Sequence, residues 1–172
     1  MNHSNEIIWS SLENMMEVLL ANEDTCGSGL SEFYTLSSFS QHYNNLSNMA
    51  CCLQTVIHKI NSNNNEHTLW AVGAIYNLSF AHNSKTILQH NDACLINLAK
   101  ASTKRNPDEI PTIDSCKEYA VCALSNLLNT HTIRQHFCEL QNGRWAFIID
   151  SLVSTPPPPV PPNPPEPPSI DI

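Results

Sequence analysis

Apolar residues recur along most of this chain at helical rather than strand spacing. Ile8, Leu12, Met16 and Leu19 fall three to four positions apart, and so do Leu46, Met49, Leu53, Val56 and Ile60. Two later runs, about 66–80 and 115–129, are almost continuously apolar and predict long buried helices. Within them Ala71 and Ala74, and again Ala120 and Ala123, place small side chains three apart, which lets a neighbouring helix approach closely. Each run is followed by a polar turn, a short helix (about 84–90 and 132–140) and a third apolar helix (about 93–102 and 144–153). The stretch 22–31, which carries Gly and Ser, reads as a loop, and the Asn-rich run 61–65 reads as a surface turn.

The two long runs are copies of one another. A shift of 49 positions lays Ala71 on Ala120, Ala74 on Ala123, Asn77-Leu78 on Asn126-Leu127, His82 on His131, Lys85 on Arg134 and Leu88 on Phe137. Self-similarity at such a period is the mark of stacked helical units. Ser115 and Glu118 have capping-box spacing, which would start the second long helix there. Pro107 and Pro111 stand between units, where helices stop. The polar insert 103–113 lengthens the period beyond the ~40–47 residues of armadillo and HEAT units. The expected organisation is an irregular helical N-terminal part with a degenerate unit (1–62), two repeats (63–154) and a proline-rich disordered tail (155–172).

The runs Ala71-Val72-Gly73-Ala74-Ile75-Tyr76-Asn77-Leu78 and Ala120-Val121-Cys122-Ala123-Leu124-Ser125-Asn126-Leu127 resemble the armadillo consensus W-A-L-x-N-L. The similarity covers about 66–153 and departs from the family in its long period, in Asn91 where a Gly is usual, and in its few basic residues. The stretch from Leu69 through Asn77 to Lys85 also resembles the armadillo-like repeats of rotatin-type scaffolds of the centriole and ciliary base. What the resemblance implies is an all-α, right-handed solenoid that holds other proteins in a groove lined by its third helices. Asn97 fits the family's backbone-clamping Asn, although Asp150-Ser151 in the second unit does not continue the ladder. A surface polar residue explains Asn97 equally well. Trp145, at the start of the last helix, joins it as a partner-binding candidate.

Composition narrows the chemistry. Charged residues make up 14%, far below the usual ~25%, so Asn and Ser must supply the polar surface. The formal net charge is −8, and no Lys or Arg precedes Lys59, whereas Glu6, Glu13, Glu17, Glu23, Asp24 and Glu32 do. Such a surface repels nucleic acid and anionic membranes and would attract a basic protein. No stretch approaches a membrane span, and no secretory signal stands at the start, so a cytoplasmic setting, cytoskeletal or centrosomal, is expected. With 4 Gly, an all-β fold and a phosphate-cradling loop are both disfavoured. No nucleophile elbow or H-E-x-x-H pattern occurs, and the sequence reads as non-enzymatic, without a cofactor. The 7 Cys are odd in number and lie in apolar runs, which favours reduced core thiols. Cys116, Cys122 and Cys138 with His136 lack zinc-site pairing, so no metal is expected. Adjacent Cys51 and Cys52 cannot both face one core.

The tail is the sharpest compositional signal, with ten of the chain's 12 Pro between Pro156 and Pro168. Pro156, Pro157, Pro158 and Pro159 begin a polyproline II segment that a polyproline-binding domain of the profilin, SH3 or EVH1 kind could dock. No flanking Arg, Lys or aromatic residue strengthens that reading, and a solvated spacer is the plainer alternative. Ile170 and Ile172 have the alternate spacing of a C-terminal PDZ ligand.

Overall fold

The computed structural model describes residues 3–105 and 111–153; side chains are described for residues 6–105 and 111–149. Among these residues all regular structure is helical. The helices are α1 (His3–Ala21), α2 (Glu23–Ser37), α3 (Tyr43–Asn48), α4 (Ala50–Lys59), α5 (Asn65–Leu78), α6 (His82–Gln89), α7 (Asp92–Ser102), α8 (Pro111–Leu127), α9 (His131–Glu139) and α10 (Ala146–Val153). The helices α2, α5 and α8 stand in a row with α5 in the middle. Each is backed by the helix before it: α1 on α2, α4 on α5, α7 on α8. The backing helices also pack on one another, α1 on α4 and α4 on α7, and the short helix α3 meets α6.

One core runs through all of these elements. Leu78, Leu124 and Leu127 are fully buried in it and Trp70 packs half-buried against it, as the 49-residue register requires. The core also includes Met16, Leu20, Leu30, Phe33, Val56 and Ile57, so it passes without a break across residue 62. The N-terminal part is more regular than the sequence suggests. Residues 23–31 are not a loop but the first half of α2, capped by Asn22, whose side chain accepts from the Asp24 N–H at 3.0 Å. Its glycines answer to packing. A Cβ on Gly29 would stand 3.1 Å from Leu19 and Leu20 of α1, so the close α1–α2 approach outweighs the ~1 kcal/mol that Gly costs within a helix. The apolar run 46–60 is two helices rather than one, broken at Met49 (φ −74°, ψ 73°).

Two further expectations are corrected at α8. It begins at Pro111, four residues before the proposed capping box, so Ser115 lies inside the helix. Pro111 starts a helix instead of ending one, because the N–H it lacks has no intrahelical partner in a first turn. Asn residues serve as caps as well as surface. Asn64 accepts from the Glu66 and His67 N–H groups, and Asn91, in the place of the consensus Gly, accepts from Cys94 N–H at 2.9 Å. Leu127→Ala should cost ~2–5 kcal/mol of stability in urea unfolding, since it removes a fully buried side chain from the common core. A loss below ~0.5 kcal/mol, the surface range, would contradict that packing.

Candidate functional site

Side chains tie each helical unit to the next at a nearly constant separation. Asn77 Nδ2 on α5 donates to Ser37 Oγ at 3.1 Å, and Asn126 Nδ2 on α8, its register equivalent, donates to Ser79 Oγ at 2.9 Å. Ser47 and Ser84 hydroxyls meet at 2.8 Å between α3 and α6, and Asn83 reaches Asn44. His136 Nε2 lies 2.7 Å from Asp92 Oδ1. These partners are 37 to 47 positions apart, one unit each time.

This ladder decides the position of Asn97. Its Nδ2 donates to the Ile57 carbonyl at 3.0 Å, and its own carbonyl accepts from Asn61 Nδ2 at 3.2 Å. One N–H of the amide therefore ties α7 to α4 within the chain, while the residue itself is half-buried. Trp145 is held more deeply. It is 5% exposed, its Nε1 donates to Gln141 Oε1 at 3.2 Å, and the Arg144 guanidinium lies 5.0 Å from its ring centroid. A ring so buried anchors the turn before α10, where Gln141, Asn142 and Gly143 all have positive φ, and offers a partner almost no surface. Pro156, Pro157, Pro158, Pro159, Ile170 and Ile172 lie outside the described residues.

What the fold assembles instead is an aromatic strip across the long helices. Gly73 of α5 leaves room for Tyr34 of α2: a Cβ there would stand 2.7 Å from the Tyr34 ring. In that gap Tyr34 comes close enough to Tyr119 of α8, two units away, for Tyr119 to raise the pKa of its hydroxyl. Tyr119 stacks on Tyr76 at 5.3 Å between centroids, and Tyr76 meets Phe80 edge-on at 5.0 Å. Tyr34, Tyr119 and Phe80 are half-buried. Rings with an apolar body and a polar tip, held rigid by neighbours, are what protein interfaces select. Burial, and then the neighbouring Tyr119, push the Tyr34 hydroxyl up to about 12, so it is a neutral donor at neutral pH and not a base. The sequence carried one signal of this strip, a lone Gly73 within a run of Ala and larger apolar residues, but nothing in it showed that Tyr34 and Tyr119 would meet there.

The thiols are equally quiet. Burial pushes Cys94 up to about 12 and Cys116 up to about 11; Cys52 is pushed up to about 12 by burial and then by Glu17 and Glu13. Cys51 is exposed while Cys52 is buried. Among the described residues no three His, Cys, Asp or Glu side chains are grouped to hold a metal ion, and no helix is long and apolar enough to cross a membrane. Neither a known protein family nor a curated protein gives a match to this chain.

Gly73→Ala should destabilise by about 1–3 kcal/mol through overpacking against Tyr34. In a Tyr34→Ala background the same substitution should turn neutral or stabilising by up to ~1 kcal/mol, the helix-propensity gain of Ala over Gly. A double-mutant cycle in urea that finds no such reversal refutes the contact. For the thiols, iodoacetamide at pH 7.5 should label Cys51, Cys122 and Cys138 and spare Cys26, Cys52, Cys94 and Cys116, as read by peptide mass spectrometry. Because the folded thiols are raised above their ordinary value of 9, their contribution to stability is complete below pH 9. It is lost as pH climbs from there through about 12.

Proposed function

We propose that this chain is a non-enzymatic interaction module: a short armadillo-like solenoid whose surface, with the aromatic strip Tyr34–Tyr119–Tyr76–Phe80 as its centre, holds a protein partner. The observation that carries this reading is the one-unit hydrogen-bond ladder, since a stack whose successive units are tied to one another extends surface in one direction, as binding solenoids do. The half-buried tyrosines supply rigid contact area at that surface, and the chain lacks the charge that nucleic-acid binding requires. A place in a centriolar, ciliary or other cytoskeletal assembly accords with the sequence resemblance. The polyproline segment favours a second reading, an adaptor in which Pro156–Pro159 recruits a polyproline-binding domain.

Affinity purification separates the two. With the full chain, a chain ending before Thr155 and Tyr119→Ala side by side, the module reading expects the truncated chain to keep the partners and Tyr119→Ala to lose them, with the circular dichroism of both unchanged. Loss on truncation alone would transfer the function to the tail.

A further inference from the structure

Two helix faces near the N-terminus stand opposite each other without packing. α1 packs on α2 and α4, and α3 on α2, α4 and α6, while little of α1 touches α3. Glu6, Trp9, Ser10 and Glu13 recur at helical spacing and share one face of α1; Asn45, Asn48 and Met49 do the same on α3 and its C-cap. With 6 residues and a chain break at Met49, α3 is too short to run along α1 and fill the space between them. The groove that remains holds about 340 Å³, the size of a small ligand site, and these residues line it.

Its walls select by charge and by shape. Met49 is buried at the base, and Trp9 is half-buried with its ring held edge-on by His42 at 5.1 Å. Burial lowers the His42 pKa, so the imidazole is neutral at neutral pH and brings no charge to the groove. The remaining lining side chains are all able to accept a hydrogen bond, and none is cationic. Glu13 is half-buried, yet among the described residues its carboxylate meets no cationic side chain. Asn45 and Asn48 make no hydrogen bond among those residues either, whereas their neighbour Asn44 accepts one from Asn83. The chain uses many of its asparagines as caps and cross-unit ties. A carboxylate and two amides left out of such bonds, gathered around one indole, suit a flat cation rich in donors.

We propose that the groove between α1 and α3 binds an arginine side chain of another protein. The guanidinium lies flat on the Trp9 indole and its methylenes run over Met49. Its N–H fork is taken up by the Glu13 carboxylate, with the Asn45 and Asn48 side-chain oxygens as further acceptors. Lysine fits less well, because a compact and strongly hydrated ammonium has no plane to stack. The chain's own Arg134 and Arg144 are engaged elsewhere, on the Leu128 carbonyl and the Trp145 ring. The groove shares no residue with the aromatic strip, so the fate of Tyr119→Ala has no bearing on it.

The test follows the Trp9 indole N–H of the isotope-labelled full chain by NMR, assigned by its disappearance in Trp9→Phe. The probes are the peptide Gly-Gly-Arg-Gly-Gly and its lysine and citrulline counterparts, citrulline having the shape of arginine without its charge. The arginine peptide should move this signal with a millimolar Kd that rises with salt; the lysine peptide should bind more weakly and the citrulline peptide not at all. Glu13→Gln should weaken arginine binding ~5–10-fold, the loss of one charge-assisted pair. Glu32→Gln, which removes an exposed carboxylate of α2 outside the groove, should leave binding unchanged, and both variants should keep the helical circular dichroism. A Trp9 signal that stays still well above millimolar peptide, lysine or citrulline binding as well as arginine, or equal losses in Glu13→Gln and Glu32→Gln overturns the proposal. So does free arginine binding more tightly than the peptide, which would assign the groove to a small molecule.

Discussion

From Ala71 to Leu78 every residue of α5 is buried, and this constraint shapes the rest of the molecule. A helix without a water-facing side must be covered all round, and no single partner can do that. α2 covers one flank, α8 the other and α4 the back. The flanking helices can come close because the positions facing them are small: Ala71, Gly73 and Ala74 on α5, Ala120 and Ala123 on α8. Once α2, α5 and α8 lie side by side at that spacing, the helices before them have only the back of the row to bury against. The α1–α4–α7 packing follows from the α2–α5–α8 packing.

The scarcity of charge has a counterpart in this arrangement. Few ion pairs hold the units together, and those present, such as Lys59 with Glu23 at 3.4 Å, are exposed and contribute little. Amides and hydroxyls take that role. Asn77, Asn97 and Asn126 cross from one unit to the next, while Asn22, Asn64 and Asn91 close helix N-termini. Among the described residues no buried side-chain nitrogen or oxygen lacks a partner. A neutral amide is less costly to bury than a charge and, once paired, fixes the register between helices as firmly. An Asn-rich sequence that seems merely hydrophilic thus specifies how the units lie on one another.

Along the row α2, α5 and α8 the same architecture gathers aromatic residues from three units. Tyr34 and Tyr119 are half-buried there, with an apolar body and a polar tip.

The sequence by itself determined the all-helical class, the 49-residue relation between α5 and α8, and the burial of Leu78, Leu124 and Leu127. Each of these rests on local periodicity, which the order of residues states directly. It determined for the same reason that Cys51 and Cys52 could not both face the core, since neighbours on a helix point 100° apart. Only the tertiary structure decided that 22–31 is largely helix, because the glycines there are justified by Leu19, Leu20 and His67 and not by their own propensity. Only it could show that Asn97 ties α7 to α4 and that Trp145 is buried, since those contacts depend on a carbonyl 40 residues away and on a turn that folds back. The Tyr34–Tyr119 contact likewise joins residues two units apart through a gap in a third helix. Periodicity reports which side of an element is buried; it carries no information about which distant residue lies against it.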